Sequence, residues 1–243
     1  MIRSCILQIY SSHDSRPGTY KIQKLLASEF CIHISAGRVY RLMKDMKLPS
    51  FRAKKPCFVY ADLSFEAQNL LKQNFTQKAP DLVWCSDITY LKVQNKFYYL
   101  CVIIDLFSRK IVAYRLSSKI DAKLVTDTFL DAYEKRKYPK GLMFHSDRGS
   151  QYTSETFRKV LDNCGVVQSF SAKGHPYDNA VAECFFKYLK KEETDRRYYK
   201  TFKDLRLSVF QYIDGYYNSR RPHSSLDYMT PLAFEKKYYD ALV

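Results

Sequence analysis

Residues 83–106 read VWCSDITYLKVQNKFYYLCVIIDL and contain two runs of β-branched and aromatic residues with a short polar stretch between them. The runs at 83–93 and 97–106 are predicted strands, and 94–96 is the turn that joins them. Strands joined by so short a turn pair as an antiparallel hairpin. This stretch therefore predicts the start of a sheet, and its first strand carries an acidic residue, Asp87.

Downstream of the hairpin, strand-like and helical patterns alternate. The further predicted strands are 111–116, 141–145 and 166–170, and the helical runs between them are 121–136 and 153–164. Gly165 is suited to end the second helix, and Asp178 is suited to cap a long helix that follows. The order βββαβαβα predicts an α/β protein with a mixed five-stranded sheet flanked by helices. This order resembles the ribonuclease H fold.

The region before the sheet has a helical pattern. Apolar residues from Ile22 to Phe30 share one helix face, and Ser35 is suited to cap a second helix. Arg38, Arg41 and Lys44 are three residues apart on that second helix. The pattern predicts a helix-turn-helix that binds DNA through this basic face. A helical hairpin with solvated charges would show the same pattern and is the alternative.

Changes in composition divide the chain into four predicted parts. Residues 1–58 are a helix-turn-helix-like DNA-binding region with a basic linker, and 59–78 are a connecting helix. Residues 79–200 form the ribonuclease H-like core, and 201–243 form a C-terminal helical extension.

The charge of the chain favours a polyanionic partner. The 243 residues carry a formal net charge of +15, and residues 1–58 contribute 11 Lys and Arg against 3 Asp and Glu. Nucleic acid and an anionic membrane surface are both polyanions that would bind a protein of this charge. The seven Cys form no C-x-x-C pair, which favours reduced thiols over a zinc module. With no signal peptide and no long apolar run, we expect a soluble, non-secreted protein.

Three acidic residues are the candidate catalytic and metal-binding residues: Asp87, Asp147 and Glu183. Asp87 lies in the first predicted strand, Asp147 directly follows the fourth, and Glu183 lies in the last core helix. Taken singly, each has an ordinary structural explanation. Together they can converge on a site for hard divalent cations such as Mg²⁺, which prefer carboxylate oxygens.

The helix of Glu183 is predicted to have two functional faces. Val181, Phe185 and Tyr188 share a face suited to the core, whereas Glu183, Lys187 and Lys190 follow the same spacing on a second stripe. Lys187 and Lys190 are therefore predicted to contact DNA beside the acidic site.

Longer motifs indicate a family. The chain resembles the DDE transposase and retroviral-integrase superfamily, and within it the second-frame (OrfB-type) protein of two-frame bacterial insertion sequences. The residues that carry the resemblance are Trp84-x-x-Asp87-Ile88-Thr89-Tyr90, Ile104-Asp105-Leu106-Phe107-Ser108-Arg109, His145-Ser146-Asp147-Arg148-Gly149-Ser150-Gln151-Tyr152, Pro176-Tyr177-Asp178-Asn179-Ala180-x-x-Glu183, Leu189-Lys190-x-Glu192, and Tyr217-Asn218-x-x-Arg221-Pro222-His223.

The resemblance implies a function and a set of partners. Asp87, Asp147 and Glu183 would form a triad that binds two Mg²⁺ or Mn²⁺ ions. The enzyme would nick DNA to free a 3′-OH, which then attacks a second strand by transesterification. The implied partners are double-stranded DNA at element ends and target, an upstream-frame protein or frameshift fusion, and further copies of the chain on DNA. The implied location is the bacterial cytoplasm, in association with the nucleoid.

Several other residues are candidates for supporting or structural roles. His145, Asp178 and Asn179 are candidate supporting residues near the triad, although a satisfied strand histidine and a helix cap explain the first two equally well. Arg220 and Arg221 are candidates to contact DNA or the catalytic domain, and Asp105 is assigned a structural role beside Ser108 or Arg109.

Two functions of other kinds remain as alternatives. A non-catalytic DNA-binding regulator would explain the basic first region, and a ribonuclease H-type nuclease would explain the three acids.

Overall fold

The computed structural model describes residues 1–48, 68–172 and 176–242. Its α-helices and strands are, in chain order, α1 (Ile2–Ser12), α2 (Thr19–Phe30), α3 (Ala36–Asp45), β1 (Val83–Val93), β2 (Lys96–Asp105), β3 (Ile111–Ser117), α4 (Ala122–Lys135), β4 (Met143–Ser146), α5 (Ser150–Thr153), α6 (Glu155–Asn163), β5 (Val167–Phe170), α7 (Ala180–Glu192), α8 (Phe202–Tyr212) and α9 (Pro231–Asp240). None of the helices in these ranges has the length and apolar character that a membrane span requires.

The five strands form one mixed sheet in the order β3-β2-β1-β4-β5. The hairpin pairs β1 with β2 in antiparallel register, from Trp84 opposite Asp105 to Val93 opposite Lys96. β4 and β5 join by parallel pairing, because the helices between these strands return the chain to the same end of the sheet. The predicted mixed five-stranded sheet is confirmed, and β1 lies at its centre.

Each face of the sheet has its own apolar core. Successive residues of β1 point to opposite faces, so Trp84 packs with Phe129, Phe144 and Phe157 on one side. Cys85 and Leu91 point to the other side, where the buried residues of α7 and α8 cover the sheet. The helix with Glu183 is therefore held against the face to which the odd-numbered residues of β1 point.

The first three helices form a separate apolar cluster around residues such as Ile6, Leu26 and Val39. The side chain of Ser35 accepts a hydrogen bond from the Arg38 amide and caps α3, as predicted. α2 ends where Cys31 adopts a left-handed conformation with φ 55°. This turn places α3 against α2. The sequence analysis did not predict α1 as a distinct helix.

Residues 49–58 of the basic linker and residues 59–67 of the predicted connecting helix lie outside the described residues. Within 68–78, the part of this segment that the structure describes, the backbone forms turns and no helix. The segment is tied to the core instead, since the side chain of Ser169 accepts hydrogen bonds from the Leu70 and Leu71 amides.

Candidate active site

The parallel pairing of β1 with β4 brings two of the candidate acids together. Val83 lies opposite Met143, and Cys85 lies opposite His145. The same offset carried two residues further places Asp87 opposite Asp147, just past the end of β4. Side chains two residues apart on a strand point to the same face, and Cys85 points to the face that α7 covers. The carboxylates of Asp87 and Asp147 therefore belong to that face as well.

Asp87 lies in an environment that disfavours its negative charge. Burial raises its pKa well above the usual range, and the negative charges of Asp147 and Glu183 raise it further. The Ile88 amide donates to its Oδ1 at 2.7 Å, and Lys190 supplies a positive charge nearby. These two interactions only partly offset the effects of burial and repulsion.

Asp147 is held in place by the turn that follows β4. The Gly149 amide donates to its Oδ1 at 2.9 Å. Burial raises the pKa of Asp147 as well. A Cβ on Gly149 would lie 2.5 Å from the Gln151 Nε2, which can swing away, and 3.0 Å from the same Asp147 oxygen, which would have to shift by a few tenths of an ångström. Sequence reasoning missed Gly149, although the Asp-x-Gly spacing of a tight turn was a signal for it.

Glu183 projects from the exposed side of the first turn of α7, and partial burial raises its pKa. The opposite side of the helix buries Ala182, Phe185 and Leu189. The core-facing stripe is thus shifted from the predicted one, since Val181 is only half-buried.

The two lysines of the predicted DNA stripe differ in their surroundings. Lys187 is exposed, whereas Lys190 is half-buried with its ammonium 4.5 Å from the centre of the Tyr90 ring. Desolvation lowers the pKa of Lys190, and the negative charges of Asp195 and Asp87 oppose that effect. Lys190 therefore lies between an exposed aromatic ring and the acidic pair.

The three carboxylates do not form a closed metal cage. Among residues 1–48, 68–172 and 176–242, no three His, Cys, Asp or Glu side chains are grouped closely enough to hold an ion. Asp87 lies in the middle of β1 and Asp147 just past the end of β4, and both Asp147 and Glu183 are close enough for their charges to raise the pKa of Asp87.

Asp178 has a role other than the predicted helix cap. α7 begins at Ala180, and its N-cap is Asn179, whose side chain makes no cap hydrogen bond. The buried Asp178 carboxylate accepts hydrogen bonds from Asn69 Nδ2 at 2.7 Å, Gln73 Nε2 at 2.8 Å and the Ala172 amide at 2.8 Å. The capping prediction was wrong because α7 begins two residues later, and Asn69 and Gln73, distant in sequence, donate to the two carboxylate oxygens.

Asn179 and His145 make buried hydrogen bonds next to the candidate acids. The Asn179 side-chain amide donates to the Ser86 carbonyl at 3.3 Å, which ties the start of α7 to β1 beside Asp87. His145 is fully buried between the Ser169 hydroxyl at 2.9 Å and the Ser171 hydroxyl at 3.3 Å. Burial lowers the pKa of His145 to about 4, so it is neutral near pH 7. His145 has the environment of a satisfied strand histidine.

The predicted DNA contacts divide into two groups. Arg38, Arg41 and Lys44 are exposed on α3, as a phosphate-binding face requires. Arg221 is 1% exposed, and its guanidinium donates to both oxygens of Glu192 at 2.7–3.2 Å. Of the two predicted contacts of Arg221, the structure shows the one with the catalytic domain, because the buried guanidinium is held in a bidentate ion pair with Glu192 and is turned away from solvent.

Asp105 has the structural role that was predicted. Its Oδ1 accepts hydrogen bonds from the Ser108 amide at 2.8 Å and the Ser108 hydroxyl at 3.0 Å. Its Oδ2 accepts from the Asp81 amide at 2.7 Å. One oxygen thus fixes the turn after β2, and the other ties this turn to the segment before β1.

Comparison with known proteins identifies the family. The description "Integrase core domain" matches residues 77–176 and again 164–231, and "HTH-like domain" matches residues 2–56. The transposase for insertion sequence element IS904 of Lactococcus lactis subsp. lactis (strain IL1403) is 40% identical over 233 residues, which are 95% of this chain and 92% of the relative. The chain belongs to this family of insertion-sequence transposases. Transposase InsF for insertion sequence IS3A of Escherichia coli (strain K12) is 38% identical over 235 residues, 96% of this chain and 82% of that protein.

A solved structure agrees with the fold. A chain of the simian T-cell lymphotropic virus intasome aligns with 95% of this chain and 74% of its own length, with a TM-score of 0.51 and 14% identity. The likeness at this identity concerns the fold alone. The family membership makes this transposase an enzyme of DNA transposition, with an HTH-like domain and a ribonuclease H-like integrase core, as the sequence predicted.

Proposed function

We propose that Asp87, Asp147 and Glu183 are the catalytic carboxylates of this transposase and that they bind two Mg²⁺ or Mn²⁺ ions. The observation that carries the proposal is the β1–β4 register, which brings Asp87 and Asp147 face to face under the helix that carries Glu183. The reaction is cleavage of an element-end strand, followed by direct attack of the freed 3′-OH on a second phosphodiester.

The donor set fits divalent cations of this class. The donors are carboxylate oxygens, which suit Mg²⁺ and Mn²⁺, whereas His145 is turned to Ser169 and Ser171. Burial and the charges of its neighbours raise the pKa of Asp87, so the site has more negative charge than its own hydrogen bonds and Lys190 balance. Glu183 would complete the set by movement of its exposed side chain.

When bound, the ions would supply Lewis-acid activation of the attacking oxygen and stabilisation of the leaving oxygen. The residues of the chain have separate tasks. Asp147 is held by the Gly149 amide, and Asn179 fixes the start of α7 to β1. Lys190, held beside Tyr90, would bind a phosphate of the end DNA, with exposed Lys187 next to it.

The exposed basic face of α3 supports DNA as a partner of the N-terminal region. Arg38, Arg41 and Lys44 would contact DNA phosphates or bases, and His145 and Asp178 would support the site through the contacts described above. We include in the proposal the upstream-frame protein or frameshift fusion, further copies of the chain on DNA, and a cytoplasmic, nucleoid-associated location.

The direct test is a cleavage and strand-transfer assay on element-end DNA, with the upstream-frame fusion as the enzyme. We expect nicked and joined products with Mg²⁺ or Mn²⁺ and none with EDTA. Binding without any metal-dependent nicking would support a non-catalytic regulator instead. Nicked DNA without a joined strand would support a simple nuclease.

The variant Asp87→Asn is expected to stabilise the metal-free protein. Because the pKa of Asp87 is raised in the folded state, the stability that its neutral form gives is complete below the unfolded value near 3.8 and is lost as pH rises. At pH 7, above the unfolded value, folding must either protonate this carboxyl group or bury its charge, so Asp87→Asn should raise the melting temperature by a few degrees, at about 2–4 °C per kcal/mol. Thermal denaturation in EDTA measures this shift.

Addition of Mg²⁺ supplies the control for that experiment. Saturating Mg²⁺ should raise the melting temperature of the wild type, since a ligand at 100 times its Kd contributes about 2.7 kcal/mol. Asp87→Asn should lose most of this response. Equal responses in the two proteins would contradict Asp87 as a metal ligand.

The variant Gly149→Ala is expected to slow single-turnover cleavage about tenfold, because an added Cβ crowds the Asp147 carboxylate and small displacements of reacting groups are costly. The φ of Gly149 is −58°, so alanine adds no backbone strain. Gly215→Ala is the matched control, since a Cβ there meets nothing within 4 Å. Equal rates for the two variants would show that Gly149 does not position Asp147.

A further inference from the structure

Two glutamates at the C-terminal end of α7 connect it to the rest of the molecule. Glu192 accepts the bidentate pair from Arg221 and a hydrogen bond from the Tyr212 hydroxyl at 2.8 Å. Glu193, the next residue, accepts a hydrogen bond from the Ser208 hydroxyl at 2.6 Å. The Glu192 and Glu193 side chains are only 5% and 2% exposed. Their charges are therefore buried and paired.

Arg197 Nε lies 2.9 Å from Glu193 Oε1, and the N-terminal helices supply further partners of the two glutamates. Arg16, between α1 and α2, donates from Nη2 to the Glu193 carboxylate and from Nε to the Glu192 carbonyl at 3.1 Å. Its side chain is 6% exposed, and its guanidinium lies 4.6 Å from the centre of the Tyr216 ring. Arg16 is thus the buried link between the helix-turn-helix region and α7.

Lys21 of α2 also reaches this cluster, with Nζ 3.5 Å from Glu192 Oε1. Burial and the nearby charge of Arg221 lower the pKa of Lys21 to about 7, although Glu192 acts in the opposite direction. Lys21 is therefore only partly charged near neutral pH. Arg16, which is hydrogen-bonded to both the Glu193 carboxylate and the Glu192 carbonyl, is the closer link.

Further contacts surround this cluster and come from the same two regions. Arg196 donates to the Asp14 carbonyl at 2.8 Å, and Arg220 donates to the Ser12 carbonyl. The Lys24 ammonium lies 5.1 Å from the centre of the Tyr228 ring. The N-terminal helices thus rest on the C-terminal end of α7 and on the segments that follow it. We call this contact the α7 junction, defined by Arg16, Lys21, Glu192, Glu193 and Arg221.

The α7 junction lies on the same rigid helix as the proposed active site. Glu183 and Glu192 are nine residues apart in α7, or about 13 Å at the rise of an α-helix. Paired charges out of water tolerate little change in geometry, because a displaced partner leaves a buried charge unpaired. The junction therefore holds α2 relative to Glu183, and α3 with it, because α2 and α3 share one apolar cluster.

We propose that the α7 junction sets the distance along the DNA between the bases contacted by α3 and the phosphodiester that is cut. The inference rests on the proposed function. Arg16 and Glu193 are positioning residues here, since neither touches the reacting atoms. The junction selects the bond that is cut and leaves the cleavage chemistry to the three carboxylates.

The test is the position of the cut in Arg16→Ala, read at nucleotide resolution on end-labelled element-end DNA with Mg²⁺ and the fusion protein. We expect the wild type to cut one phosphodiester. In Arg16→Ala we expect cuts spread over neighbouring phosphodiesters, with the share at the main position reduced at least twofold and the Kd for DNA changed less than threefold. Arg16→Lys should restore most of the single cut, which a general loss of folding would not do.

Two further variants make the outcome decisive. Arg3→Ala is the matched control, because Arg3 pairs with Asp45 at an exposed position within the N-terminal helices. Glu193→Gln tests the other side of the link and replaces Arg16→Ala if that variant melts below the assay temperature. A single unchanged cut position in the folded variants, at any yield, overturns the inference while the proposed function stands. Absence of metal-dependent cutting by the wild type overturns the proposed function itself.

Discussion

Asp147→Asn is expected to reduce cleavage and strand transfer on the order of a thousandfold, because loss of about 4 kcal/mol of metal-assisted stabilisation has that effect on the rate. Asparagine keeps the shape of the side chain and can still accept from the Gly149 amide. The change therefore removes charge and leaves the turn in place. Single-turnover cleavage of element-end DNA in Mg²⁺ measures the effect.

The matched control for this variant is Asp162→Asn, on the exposed side of α6 and outside the site. It should cleave at the wild-type rate, and both variants should bind DNA with the wild-type Kd. Unchanged cleavage by Asp147→Asn would falsify the triad.

Glu192→Ala is expected to cost about 3–5 kcal/mol of unfolding free energy, the range observed when one partner of a buried ion pair is removed. The substitution leaves the Arg221 guanidinium buried without its bidentate acceptor and removes the acceptor of the Tyr212 hydroxyl. Chemical denaturation at pH 7, followed by far-UV circular dichroism, measures the loss.

The pH dependence distinguishes this charge effect from a loss of packing. Burial alone raises the pKa of Glu192, but the charge and hydrogen bonds of Arg221, with Lys21 and Tyr212, hold it at about 2. The stability from ionised Glu192 is therefore present above the unfolded value near 4.5 and is lost as pH falls towards 2. The difference between the wild type and Glu192→Ala should shrink over that range.

Exposed Glu134 of α4 provides the control, and Glu134→Ala should change stability by less than about 0.5 kcal/mol. A loss of similar size in the two variants would contradict a structural role for the Glu192–Arg221 pair.

The sequence by itself determined the sheet and the approximate place of the acids. The alternation in 83–93, the short turn and the later change to helical period are local properties of strands and helices. The cap of α3 by Ser35 was predictable for the same reason, because its partner is only three residues away. The parallel offset of β1 and β4 then makes Asp87 meet Asp147, as the order of elements had indicated.

Only the tertiary structure decided what Arg221 and Asp178 do. Both looked available for the site or for DNA, but their partners are distant in sequence: Glu192 for Arg221, and Asn69 and Gln73 for Asp178. The same applies to Arg16, whose link to Glu193 crosses most of the chain. Periodicity records which face of an element is apolar, but the pairing of buried charges depends on which elements pack together. For this reason the carboxylates were predictable from sequence, whereas the α7 junction was not.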